Sequence, residues 1–438
     1  MALLAWPWRT GRFGRVGLGV PGVLASALLA GCSTLPLWMV VQQQSQITDY
    51  RHFDNAPIAR SSQPMPWPVA PGEPVALRWP DGQDTAANEA DAARRGTVAL
   101  LMARRGQIVY ERYFNGFDAQ SLGTSFSMAK SVVSLLLGIA IDDGRIASVD
   151  EPITRYLPEL RRNDTRFDRI TLRHLLMMRS GIAFDEGYRS PFAEAAKFYL
   201  TDDLPQQVAQ LRIAGEPDQA YDYKSGDTQL LGMALARAVG QPLARYAEQR
   251  LWQPLGMQHD ASWSLDSHAS GVERAFCCLN ARAVDYLRLG QLVLQEGLWN
   301  GQRIVSAAWL RQSTAALAGL PGADDAAQRN VERFNTPQVA FYGWQWRRRP
   351  APGGAAAVSG GAVSVSNSAA LAPGEMVYAQ GLHGQFLLID PQSQTVVLRL
   401  GQQTGQRFWP GWLDRWVRLN APPPSAPPPP QALPQSTP

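Results

Sequence analysis

The sequence predicts a mixed α/β (α+β) domain: an antiparallel sheet flanked by helices, built from both chain ends around an inserted, mostly helical region. Three observations predict it. A hairpin signature stands near residue 100, helical periodicity dominates the middle, and short β-rich runs return near the C-terminus. With 438 residues and 45% hydrophobic content the chain has ample apolar surface for a core, and a charged fraction of only 18% argues against disorder.

The elements follow in chain order. Arg9, Arg12 and Arg15 precede an apolar stretch from Val16 to Ala30 that ends in Leu29-Ala30-Gly31-Cys32. Basic then apolar is the pattern of an export leader, so residues 1–31 read as a signal peptide. The LAGC string resembles a bacterial lipobox. That resemblance implies lipidation of Cys32 and a periplasmic protein tethered to a membrane. An uncleaved membrane anchor is the alternative, because no charge falls between Arg15 and Asp49. Pro21 and Pro36 weaken it. Residues 32–88, rich in Pro, Gln and Ser, read as a tether and irregular extension.

The principal domain reads over residues 89–420. Thr97 to Ala103 and Gln107 to Phe114 form a hairpin across Arg104-Arg105-Gly106. A helix follows from Ser127 to Ile141, stopped by Asp142-Asp143-Gly144. From about Ile153 to Ser313 apolar residues recur at three- and four-residue steps, as in TQLLGMALARAV and ARAVDYLRLGQLVLQ. Strands are predicted over Glu375–Ala379, Phe386–Asp390 and Thr395–Leu400, then a helix over Trp412–Leu419. The tail over 421–438 is dominated by proline and reads as extended or disordered.

Composition excludes several function classes. Removing the three leader arginines takes the net charge from +4 to +1, which gives no electrostatic case for nucleic acid. His52, His174, His259, His268 and His383 form no pair at ligand spacing, so no metal or other cofactor is expected. Beyond Cys32 the only cysteines are the adjacent Cys277 and Cys278. Two small buried thiols are the plainer reading, and a vicinal disulfide in an oxidising compartment is the other.

Basic residues are nearly all arginine; lysine occurs only at Lys130, Lys197 and Lys224. Arginine cannot give up its proton near neutral pH, whereas lysine can, so each lysine is a candidate base. In SMAK, Ser127 and Lys130 stand three residues apart at the start of an apolar helix and share a face. The helix N-terminus favours a developing alkoxide, and a buried lysine that loses its proton can accept one from serine. As a bare pattern, a serine three residues before one of three lysines arises by chance on the order of one time in five. Two further strings reduce that chance. In YDYKSGDTQLLG, Tyr223 and Ser225 precede a helix, where a phenol could shuttle protons. In GLHGQFLLIDP, Gly384 permits close approach to a strand edge, and the Gln385 N–H could serve an oxyanion.

Taken together, these strings resemble the serine β-lactamase and penicillin-binding-protein superfamily. The class C-like branch, which includes esterases, D-amino-acid peptidases and 6-aminohexanoate-dimer hydrolase, is the nearer likeness. ITLRHLLMMRSGI (Ile170 to Ile182), WQPLGM (Trp252 to Met257), CLNARAVDYLRLG (Cys278 to Gly290) and YGWQW (Tyr342 to Trp346) support it over roughly Thr97 to Gly401. The resemblance implies Ser127 as acylated nucleophile, Lys130 as its base, Tyr223 as catalytic tyrosine and Ser225 in place of a common asparagine. Tyr188, in FDEGY, matches a substrate-side tyrosine loosely. The family's Lys-Thr-Gly triplet falls on Leu382, His383 and Gly384, so its lysine is replaced by leucine. No Glu-x-x-Leu-Asn string occurs. Both departures argue against β-lactam hydrolysis.

The expected function is therefore ester or amide hydrolysis through an acyl-enzyme on Ser127, with a small-molecule or peptide substrate. A D-alanyl peptidase acting on cell-wall peptides is the alternative enzyme. A catalytically silent, peptidoglycan-binding lipoprotein is the alternative from another class. Active-site labelling separates enzyme from silent scaffold, and an intact Ser–Lys–Tyr set favours the enzyme.

Overall fold

The computed structural model describes residues 44–68, 77–188, 190, 192–315, 341–351, 371 and 373–421. The leader, Cys32 and the tail beyond Ala421 lie outside them. In chain order the strands used below are β1 (Asn55–Ile58), β2 (Thr97–Arg104), β3 (Gln107–Tyr113), β4 (Leu122–Thr124), β5 (Ala261–Ser264), β6 (Leu279–Arg282), β7 (Phe341–Tyr342), β8 (Arg347–Arg349), β9 (Met376–Gly381), β10 (Gln385–Asp390) and β11 (Thr395–Gly401). The helices are α1 (Thr85–Arg94), α2 (Met128–Asp142), α3 (Ser225–Val239), α4 (Ala283–Leu294), α5 (Ala307–Ser313) and α6 (Trp409–Asn420).

Seven strands form one antiparallel sheet in the order β7-β8-β9-β10-β11-β2-β3. The hairpin β2–β3 joins β11 in a register that sets Leu101 opposite Leu398, so both ends of the chain do build the sheet. Strand periodicity divides the side chains between two layers. Leu100, Met102, Phe386, Leu388 and Val397 pack on one face against Trp409, Trp412, Leu413 and Trp416 of α6. Trp79 stacks on Trp416 with ring centroids 5.1 Å apart. On the other face α4 approaches β10 and β11 so closely that a Cβ on Gly290 would press on Leu387 and Val396. Both faces are covered, which is why Thr97 to Ala103 of β2 are buried without a break.

One expectation changes. The extension is part of the domain: the compact unit begins at Ser45, β1 lies at 55–58, and α1 starts at Thr85. Within the mostly helical inserted region, β5 and β6 join β1 and β4 in a second antiparallel sheet of order β1-β5-β6-β4. Its strands run three or four residues and carry polar side chains, so they show no apolar alternation. They are tied instead by Asn280, which bonds Thr124 Oγ1 at 2.7 Å, Asn55 Oδ1 at 3.1 Å and Ser264 Oγ at 3.1 Å. A satisfied buried polar network of this kind fixes register where hydrophobic pattern does not.

Between the large sheet, at β9 and β10, and the helices α3 and α5 runs α2, every residue of which from Met128 to Ala140 is buried. A helix apolar all round belongs in an interior. Gly138 lets the ring of Trp309 on α5 lie against its backbone, where a Cβ would collide with the indole. Alanine is the better helix former by about 1 kcal/mol, yet overpacking costs about 1–3 kcal/mol. Gly138→Ala is therefore expected to lower the urea unfolding free energy; a variant as stable as the wild type would show that the indole moves freely.

Candidate active site

Ser127 stands where β4 becomes α2. Strand β4 pairs with β6, and the chain then turns through Phe126 at φ 44° before entering the helix. A bulky residue in the left-handed region is uncommon and is held here by its surroundings. The Ser125 N–H bonds Leu279 O at 2.8 Å, and Met128 N–H bonds Ser125 O at 3.2 Å. Ser127 is thus placed at the helix N-terminus, half-exposed, above the buried Lys130. Its own N–H meets no acceptor among the described residues.

Lys130 is 1% exposed. Its Nζ lies 3.1 Å from Ser127 Oγ, 3.1 Å from Ser225 Oγ and 2.8 Å from the Phe276 carbonyl oxygen. None of these acceptors carries charge. Burial pushes the amine down from its usual 10.5 to about 8, with Glu186 opposing the shift and Arg347 adding to it. The Phe276 carbonyl is held from behind, since Trp263 Nε1 donates to the carbonyls of Arg274 and Cys277 at 2.9 Å. Cys277 and Cys278, buried next along the chain, are joined as a vicinal disulfide. The plainer sequence reading, two free thiols, is replaced by the bridge.

Ser225 opens α3, whose residues Ser225 to Leu235 are buried. Its hydroxyl donates to Glu186 Oε1 at 2.7 Å and its N–H to Glu186 Oε2 at 2.6 Å. A carboxylate on the first N–H of a helix complements the dipole. Tyr188, 42% exposed, donates its phenol to the same Glu186. The FDEGY loop therefore does reach the site, and sequence reasoning missed Glu186 within it. The one available signal was an acidic residue two positions before Tyr188. The ring of Tyr223 lies 5.2 Å from Lys130 Nζ and meets Tyr342 edge-on at 6.0 Å.

The turn between β9 and β10 is distributed differently from expectation. Gly384 faces β11, where a Cβ would strike the Arg399 guanidinium. The buried Gln385 side chain also turns to β11, donating to Gly401 O at 2.7 Å and accepting from Gly401 N–H at 2.8 Å. The glycine that meets the turn before α2 is Gly381, where a Cβ would collide with the Ser125 carbonyl. The next N–H, that of Leu382, finds no acceptor among the described residues. His383, at φ 61°, packs edge-on against Phe126 at 5.3 Å and places Nε2 2.8 Å from Ser45 O. Among the described residues no cluster of three or more His, Cys, Asp or Glu could hold a metal.

An antiparallel sheet built from both chain ends, with a serine, a buried lysine and a tyrosine converging between it and a helical layer, defines a class of hydrolase fold. The chain belongs to the Beta-lactamase family, whose model matches residues 83–414. Its relatives are hydrolases. The 6-aminohexanoate-dimer hydrolase of Paenarthrobacter ureafaciens is 25% identical over 367 residues, covering 78% of this chain and 83% of that protein. Esterase EstB of Burkholderia gladioli is 30% identical over 183 residues, 37% of this chain and 46% of the esterase. Among solved structures, a candidate 6-aminohexanoate-dimer hydrolase from Bacillus anthracis superposes with TM-score 0.67 at 22% identity, over 87% of this chain and 95% of that one. A class C beta-lactamase matches in fold with TM-score 0.53 at 15% identity, over 75% and 93%.

A lysine whose folded value lies below its ordinary one imposes a stability cost that is fully present below about 8 and is relieved as pH rises toward 10.5. Comparing wild type with Lys130→Met, the stability difference is expected to move in favour of the wild type by about 3 kcal/mol across that window. A difference that stays constant in urea titrations over the same range would mean that Lys130 is not held uncharged.

Proposed function

We propose that this chain is a serine hydrolase that cleaves esters or amides through an acyl-enzyme on Ser127. One observation carries the reading: a lysine amine buried to 1% exposure, shifted to about 8, lies 3.1 Å from a half-exposed serine hydroxyl. Near neutral pH a useful fraction of that amine is uncharged and can take the serine proton.

Ser127 Oγ attacks the carbonyl carbon as its proton passes to Lys130. The oxyanion is received by the N–H groups of Ser127 and Leu382, with Leu382 taking the part first expected of Gln385. The proton then travels by way of Lys130 and Tyr223 to the departing oxygen or nitrogen, the C–O or C–N bond breaks, and water releases the acyl group. Ser225 positions the amine, and Glu186 holds Ser225 by accepting from its hydroxyl and its N–H. Export follows the same reading: the LAGC string supports lipidation of Cys32 and attachment to a periplasmic membrane face. No described helix is long and apolar enough to cross a membrane.

A fluorophosphonate probe is expected to label the wild type and to leave Ser127→Ala unlabelled; equal labelling would remove Ser127 from the mechanism. Hydrolysis of p-nitrophenyl butyrate should rise with pH and level off above about 8, because the active form is the free amine. Lys130→Arg keeps the charge but cannot lose the proton, so its kcat/KM should fall by about 100-fold or more. Near-normal turnover in that variant would reduce Lys130 to a fixed cation. Cys32→Ser should release the protein from the membrane fraction of expressing cells, and retention there would favour an uncleaved anchor.

A further inference from the structure

We propose that the Cys277–Cys278 bridge is a clamp that positions the Lys130 amine, so that a dithiol which opens it turns the site down reversibly. The inference rests on the hydrolase reading above and deepens it by naming a regulation of the same site.

The bridged pair stands between two contacts with the candidate machinery. On one side the Phe276 carbonyl accepts from Lys130 Nζ at 2.8 Å, and the Phe276 ring lies 5.6 Å from the same amine. On the other side the Leu279 carbonyl accepts from the Ser125 N–H at 2.8 Å, two residues before Ser127. The bridge closes a small ring that includes the peptide joining the two cysteines. Within it Cys278 sits at φ 70°, in the left-handed region that side chains other than glycine seldom adopt. Such a conformation persists where the surroundings over-determine it. Trp263 Nε1 fastens the carbonyls of Arg274 and Cys277, and the Ser264 N–H fastens that of Cys278. The Phe276 carbonyl meets no donor but Lys130 among the described residues, so its aim depends on the chain that the ring holds.

Opening the ring changes the amine in a definite direction. Glu186 and Arg347 are the charges that act on Lys130, and Tyr223 lies beside it; none of them belongs to residues 274–279. Arg274, the one charged residue in that segment, donates to the carbonyls of Phe198 and Thr201 at 2.9 Å. Reduction therefore withdraws a neutral acceptor and leaves the charges in place. An acceptor favours the ammonium, so its loss lets the amine shed its proton at lower pH, while a base held less firmly beside Ser127 works less well. The step is thiol–disulfide exchange. One thiolate of the dithiol attacks a bridge sulfur and the S–S bond breaks; the second thiolate then displaces the mixed disulfide. Two electrons and two protons pass to Cys277 and Cys278, which become thiols, and the dithiol becomes a disulfide. The cysteines are 4% and 1% exposed, so exchange waits on local opening and is slow.

The test reduces folded wild type with dithiothreitol, desalts it without air, and follows p-nitrophenyl butyrate hydrolysis against pH. Residues 275–282, which trypsin releases between Arg274 and Arg282, should take up two alkyl groups from iodoacetamide after reduction and none before. The plateau of kcat/KM is expected to fall about tenfold, and the pH midpoint to drop by about half a pH unit. Reoxidation should restore both, which separates a loosened site from a lost fold. Cys277→Ser/Cys278→Ser should match the reduced enzyme with or without dithiothreitol. A bridge that stays closed in dithiothreitol overturns the proposal. So does unchanged turnover after reduction, or a loss of turnover with an unmoved midpoint, which would leave the bridge a brace for the fold. The midpoint can also be read without catalysis, by 13C NMR of the lysine Cε atoms: the chain has only three lysines, and Lys130→Met identifies the signal. If no form hydrolyses the ester and Ser127→Ala equals wild type, the hydrolase reading sinks, and the NMR titration with the bridge closed and open still decides the clamp.

Discussion

A single amine removed from water without a carboxylate beside it is the constraint around which this molecule is arranged. Lys130 has three oxygen partners, and all are neutral: two hydroxyls and one carbonyl. Full burial of a lysine can depress it by 3–5 units. Here it falls from 10.5 to about 8, because those three oxygens replace part of the lost hydration and Glu186 supplies an attractive field. Direct contact with a carboxylate would favour the ammonium and disable it as a base. Placing Glu186 one residue away, across Ser225, keeps the attraction while leaving the amine able to shed its proton. Each partner arrives from a different part of the chain: Ser127 from the cap of α2, Ser225 from α3, and Phe276 from the loop before β6. The starts of α2 and α3 and the loop before β6 must come together before these oxygens can replace the water that the amine loses.

Two charged groups act on that amine in opposite directions. Glu186 raises it and Arg347 lowers it. Asp227, one turn into α3 and wholly buried, is itself pushed up to about 7 by burial, with Lys224 opposing and Ser180 donating at 2.6 Å. Near neutral pH it therefore carries only part of a charge, and it adds little to the negative field that Glu186 supplies. Lys224, the neighbouring lysine, donates to Ile182 O at 2.8 Å and pairs with Asp222 at 3.1 Å. That partner is a carboxylate, which separates Lys224 from Lys130: both are buried, and only Lys130 lacks a direct anionic neighbour.

Much of this was legible in the chain. The spacing of Ser127 and Lys130 on a helix, the hairpin β2–β3 and the three late strands follow from local periodicity, which two residues of context can reveal. Tyr223 and Ser225 were legible because they precede an amphipathic helix. Glu186 was not, because an acidic loop residue looks the same whether it faces water or a helix N-terminus. The second sheet was hidden because strands such as ASWS and LNAR are held by Asn280 rather than by apolar alternation. The extension was misjudged for a similar reason. Its Pro- and Gln-rich composition reads as a tether, yet Asp49 is buried against Tyr199 at 2.8 Å and Ser45 meets His383.

The two glycines of the turn beside Ser127 have different neighbours, which the sequence alone does not distinguish. In QGLHGQ two glycines stand three apart, and either could mark the strand edge that meets the substrate. Arg399 settles which one. Buried on β11 and stacked on Trp409 at 3.9 Å, it donates to Gly384 O at 2.6 Å and His383 O at 3.3 Å, to the carbonyls of Arg95 and Gln403 at 3.1 and 3.0 Å, and to Thr97 Oγ1 at 3.0 Å. All of its donors are used without a carboxylate, an arrangement that a three-donor lysine could not reproduce. Drawing the carbonyls of His383 and Gly384 toward β11 commits that half of the turn to the sheet. The other half begins at Gly381, which lies against the Ser125 carbonyl just before α2. The course of the turn is thus set by a contact on its far side, between residues 15 positions apart in sequence, and no motif confined to the turn could have carried that information.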